Sequence, residues 1–112
     1  MRHPPIKVYA AFFPASASAL AAVKKAGEPA LGHDDADWLF LEGEILRISW
    51  EGVYFPLEEV LAAFSNALLK NAEGRLDYLD MEEWSLTRHL KSAEGFQSST
   101  RDLNQILEYS GY

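Results

Sequence analysis

The apolar residues of this chain follow two different periods, and the change between them is clearest from Trp38 to Ala72. Leu46, Ile48 and Trp50 alternate with Arg47 and Ser49, which predicts a strand with one side buried. Leu57, Val60, Leu61, Phe64, Ala67 and Leu68 recur at i, i+3, i+4 and i+7, which predicts a helix with one apolar stripe. Pro56 suits the first helical position, Glu58 and Glu59 suit the positive end of the helix dipole, and Gly74 stands just past the end. Trp38 to Leu41 is apolar on both sides and reads as a buried strand. Glu42-Gly43 and Glu51-Gly52 read as turns, the second leading into a short strand from Val53 to Phe55.

The flanking segments extend this pattern. Ile6 to Phe13 reads as a strand between Pro4-Pro5 and Pro14. From Ala15 to Gly27 a helix is expected, capped by Ser16 or Ser18, with Leu20 and Val23 on one face and Lys24 and Lys25 in the last turn. Glu28 to Asp37 is expected to be a loop. Further on, Arg75 to Leu79 reads as a strand with Leu76 and Tyr78 on one face. Trp84, Leu86, Arg88 and Leu90 then alternate with Ser85, Thr87 and His89, and Phe96 to Ser98 forms a short return strand. Ser99 to Asp102 resembles a capping box opening a last helix through Leu103, Ile106 and Leu107, stopped by Gly111. The expected fold class is therefore α+β. A mainly antiparallel sheet of about five to six short strands carries a central amphipathic helix on one face, with shorter N- and C-terminal helices. At 112 residues the chain, 1–112, is expected to form a single small domain.

Charge changes the picture more than composition does. The first 27 residues carry +4 and the rest −11, for a net −7. A body this acidic repels phosphate backbones, so nucleic acid is not an expected partner. No apolar run approaches the ~18 residues of a membrane span, so no membrane partner is expected, and a soluble, cytoplasmic protein is. The basic start, the apolar Val8 to Phe13 and the small residues Ala15 to Ala19 imitate a secretory leader, but six apolar residues ended by Pro14 are too few. Cysteine is absent, which removes disulfides, thiolate metal sites and thiol nucleophiles together.

Candidate chemistry is sparse. His33, Asp34 and Asp35 are weak metal candidates; counted from Asp34, however, an EF-hand loop would place Leu39 and Ile45 where glycine and glutamate are required. Asp77, Asp80, Glu82 and Glu83 fit a solvated turn better than an acid–base pair, with Asp77 facing away from Tyr78 toward solvent. Ser85, Thr87 and His89 share a strand face without the elbow that positions a nucleophilic serine. No Walker A loop, G-x-G-x-x-G or H-E-x-x-H is present, and no cofactor is implied.

Arg88 stands out because it lies inside an apolar stripe and needs a carboxylate, with Asp80 or an acid of the central strands in view. Of the aromatics, Trp50 and Tyr54 beside the Glu51-Gly52 turn are expected to be exposed. Trp84, Arg88, Trp50 and Tyr54 are thus the candidate binding residues. Together these features point to a non-catalytic protein–protein interaction or regulatory module that pairs with a protein partner or with itself as a homodimer. The alternative is a small-ligand binder or minor enzyme with a pocket between the central helix and the sheet, using Trp84, Arg88 and nearby carboxylates.

Overall fold

The computed structural model describes residues 4–31 and 38–104. The weak metal candidates His33, Asp34 and Asp35 lie outside the described residues, as does the part of the expected last helix beyond Asn104.

The elements run β1 (Ile6–Phe13), α1 (Ala17–Leu31), β2 (Leu39–Glu42), β3 (Ile45–Gly52), α2 (Leu57–Ala67), β4 (Glu73–Asp80), β5 (Ser85–Ser92) and β6 (Gly95–Asp102). All six strands form one antiparallel sheet in the order β2-β3-β1-β4-β5-β6. The first six elements make a split β-α-β arrangement, in which each helix carries the chain past one strand. The β5–β6 hairpin then extends the sheet beyond β4. The segment that imitates a leader is thus β1, paired with β3 on one side and β4 on the other.

The pleat of β1 decides which face is the core. Ile6, Val8, Ala10 and Phe12 point to one side and are buried, together with Leu39, Leu46, Ile48 and Leu76 of the neighbouring strands. Both helices lie on that side. Phe64 of α2 meets the Phe12 ring at 4.5 Å, a contact worth about 0.5–1.5 kcal/mol beyond its buried area. In α1 the buried face is Ala19, Val23 and Gly27, and a Cβ at Gly27 would lie 2.7 Å from the Trp38 indole. Gly27 therefore seats Trp38; it does not end the helix, which runs on through Pro29. Lys91 closes the turn after α2, donating from its buried ammonium to the carbonyls of Lys70, Ala72 and Ser92, each at 3.3 Å.

Several expectations are corrected. The N-terminal helix has 15 residues against 11 in α2, so it is the longer of the two helices among the described residues. Ser99 to Asp102 belong to β6, and helix starts only at Leu103 and Asn104, the last described residues. A full shorter helix at either end is not shown among the described residues. Glu51-Gly52 continues β3, because Ile6 and Lys7 of β1 pair with these residues. Val53 to Phe55 is consequently a connector, with Val53 the most exposed large apolar residue among those described. The strand starting at Leu39 is an edge strand with Phe40 exposed.

Gly74 sits opposite Phe12 in the β1–β4 ladder. Its φ is 157°, and a Cβ would fall on the Ala11 carbonyl oxygen and 2.7 Å from Phe12 Cα. Replacing it with alanine is expected to destabilise the fold by about 2–4 kcal/mol, read as a shift of the urea midpoint. A Gly43→Ala control meets no neighbour within 4 Å and bears only the penalty of its own φ of 63°.

Candidate functional site

Among the described residues, nothing covers the face opposite the helices. From β1 it presents Lys7, Tyr9, Ala11 and Phe13, and the registers align these with Arg75, Asp77, Leu79, Leu86, Arg88 and Leu90 on β4 and β5. Phe40, Ile45 and Arg47 complete it toward β2 and β3. Tyr9, Phe13, Phe40 and Leu90 are exposed there, which is unusual for large side chains on a sheet surface without a cover. Two pairs of exposed charges form locally: Arg47 with Glu42 at 2.6 Å and Lys7 with Glu51 at 3.4 Å.

At its centre lies an ion cluster. Asp77 is 9% exposed, and Arg88 grips it with two bonds, Nε to Oδ1 at 2.8 Å and Nη2 to Oδ2 at 2.9 Å. Arg75 adds Nε to Oδ2 at 3.3 Å. Alternation placed Asp77 opposite Tyr78 as expected, but not in solvent, because two arginine stems close over it. The partner of Arg88 is thus an acid of the adjacent strand β4. The Asp77 hydrogen bonds raise the Arg88 pKa above its ordinary value, against a smaller opposing effect of desolvation.

The four candidate binding residues are not brought together. Arg88 is on the open face. Trp50 is half-buried on the helix face, its ring 5.3 Å from Phe55, so it is not the exposed aromatic expected. Tyr54 is exposed in the connector after β3. Trp84 precedes β5 in a turn, with φ 55°, and its indole N–H donates to Asn104 Oδ1 at 3.0 Å. The space between α2 and the sheet is occupied by Phe12, Phe64, Val60 and Leu76, and Arg88 points away from it. Sequence reasoning missed Arg75, Tyr9 and Phe13. The available signal was β1 itself, which is apolar on both sides and so has a second face that favours cover.

On the helix side the hairpin carries Thr87 and Thr100, hydroxyl to hydroxyl at 2.9 Å, and His89, whose Nδ1 lies 2.6 Å from Ser98 Oγ. His89 is 8% exposed, and its Nε2 is buried without a hydrogen-bond partner among the described residues. Desolvation lowers the His89 pKa, opposed by Asp77. Burial, then Asp80 and Tyr54, raise that of Tyr78. Among the described residues, no group of three or more His, Asp or Glu is placed to hold a metal ion. No described helix is long and apolar enough to cross a membrane. No protein-family model, curated protein or solved structure matches the chain.

Two measurements test this site. Because folding lowers the His89 pKa, the unfolded chain binds the extra proton, so stability from this group is present above about pH 6.5 and lost as pH falls below it. One proton gives a slope of at most ~1.4 kcal/mol per pH unit. Urea midpoints at pH 7.5 and 5.5 are expected to differ more for the wild type than for His89→Gln, and equal differences would remove His89 as the cause. Separately, Asp77→Ala leaves two guanidiniums facing each other and is expected to lose about 1–3 kcal/mol, against under ~1 kcal/mol for the half-exposed Arg75→Gln.

Proposed function

We propose that the chain is a non-catalytic interaction module whose uncovered sheet face docks a second copy of itself. The observation that carries this reading is the composition of that face. It holds five of the ten basic residues and four of the seventeen acids, hence +1, which leaves −8 for the remainder. Two molecules of this net charge repel each other in most orientations. Their near-neutral faces, mixed in sign and studded with apolar side chains, are where they approach at least cost. A partner of opposite charge would match the acidic remainder instead, and would leave Tyr9, Phe13, Phe40 and Leu90 in water.

Size supports the same reading. Six strands ~4.8 Å apart and mostly eight residues long at ~3.3 Å each present about 700 Å² in projection, room for a standard interface of ~800 Å² per partner. The residue types also suit an interface, since tyrosine and arginine are enriched in binding hot spots and Tyr9, Arg75 and Arg88 all lie on this face.

Sedimentation equilibrium between about 5 and 500 µM tests the proposal. The wild type is expected to move from monomer toward dimer across that range. Phe13→Glu and Leu90→Glu are each expected to weaken association at least tenfold, while Val53→Glu, off the face, leaves it unchanged. A wild type that remains monomeric at 500 µM would sink the proposal.

A further inference from the structure

We infer that the two-fold axis of this homodimer crosses β4 at Gly74, so that Arg75 of each copy receives the carboxylate of the partner's Glu73. The inference rests on the homodimer reading and specifies its register.

The starting point is an arginine with unused donors. Both oxygens of Asp77 are already held by Arg88, and Arg75 contributes only its Nε to the cluster. The terminal N–H groups of Arg75 have no acceptor among the described residues, and the side chain is half exposed. Glu73 projects from the same face of the same strand, exposed, two residues away, and forms no ion pair with Arg75 among the described residues. Residues at i and i+2 of a strand stand ~7 Å apart, a gap that an arginine can bridge, but Arg75 spends that reach on Asp77 at 3.3 Å and leaves Glu73 without it. An acid and a base at that spacing are complementary to their own copy turned end for end.

The neighbouring registers fit the same axis. Phe13 pairs with Glu73 and Ala11 with Arg75, so an axis lying in the interface across Gly74 sets each Phe13 ring over the partner's Ala11. Large faces small, and Phe13 is among the most exposed apolar side chains of the face, at 52%. On β5, Leu90, 51% exposed, falls over the partner's Ser92 by the same construction. These groups already surround a shallow cleft of about 490 Å³, lined by Phe13, Glu73, Gly74, Arg75, Leu90 and Lys91. Apolar side chains around a reciprocal ion pair would exclude water from it, the condition under which such pairs contribute most. Because Gly74 lies one residue from the start of β4, the overlap covers the Phe13–Glu73 and Ala11–Arg75 rows and leaves the Tyr9–Asp77–Arg88 row and the Lys7–Leu79 end uncovered. A weak dimer with a dissociation constant of about 100 µM is therefore expected.

Charge reversal tests the register. Glu73→Arg is expected to weaken dimerisation at least tenfold, because the introduced guanidinium would stand against the partner's Arg75, and Arg75→Glu is expected to do the same. The double variant E73R/R75E restores the pair with its polarity exchanged, and is expected within about threefold of the wild type. Arg75 also touches Asp77, so thermal melts accompany each variant, and the E73R comparison stands on its own if R75E is unstable. A wild-type dimer unaffected by E73R overturns this register while leaving the docking proposal intact. A monomeric wild type overturns both.

Discussion

Two helices cannot cover six strands. Each helix is ~10 Å across, so a pair laid side by side covers about 20 Å, roughly four strands at their ~4.8 Å spacing. The fold obeys this limit. The fully buried residues Phe12, Val8, Leu46, Leu76, Val60, Phe64 and Val23 sit between the helices and strands β1, β3 and β4. Beyond β4 the helix-side pleat turns polar, with Thr87, Ser98 and Thr100 where a core would need apolar groups. Among the described residues the opposite face carries no helix, and there the sheet holds paired charges with exposed aromatics left over. Everything with functional potential follows from that geometric shortfall.

Period-two and period-3.6 patterns were legible wherever one side of an element is wet and the other dry. β3, α2 and the alternating faces of β5 belong to this class, and their predicted faces agree with the registers. β6 was half missed because GFQSSTRD has almost no apolar alternation; it is a strand because β5 pairs with it, and local sequence does not carry that information. Its serine and threonine hydroxyls imitate a helix cap equally well. Gly27 misled for the opposite reason, since a glycine required by the approach of a distant indole looks the same as one that ends a helix.

The site was legible only in part. Arg88 within an apolar stripe signalled a needed carboxylate, and that was sound physical reasoning. Which carboxylate answers depends on β4 lying beside β5 in a register that sets Asp77 opposite Arg88. Exposure of Tyr9 and Phe13 depends on what does not cover them, a property of the whole layer arrangement. The two sheet edges differ in a related way. β2 is four residues long, a short edge of the kind that resists pairing, whereas β6 offers eight residues, exposed beyond Phe96 and without proline. Edge joining through β6 would form main-chain hydrogen bonds but leave Phe13 and Leu90 in water, so it does not account for the apolar face.

Asp77 gives that face a property that exposed aromatics alone would lack. A long arginine at an interface ordinarily loses side-chain freedom on binding, at about 0.5–1.5 kcal/mol for each chain immobilised. Here Arg88 is already fixed by two bonds to a nearly buried carboxylate, and Arg75 is tethered at Nε with its terminal nitrogens still open to an acceptor. Part of that entropy is surrendered when the protein folds, before any partner arrives. The same carboxylate neutralises one of the two guanidiniums, so the cluster presents a single excess positive charge in place of two. A lone exposed acid, such as Glu73 of a second copy, matches that excess charge for charge.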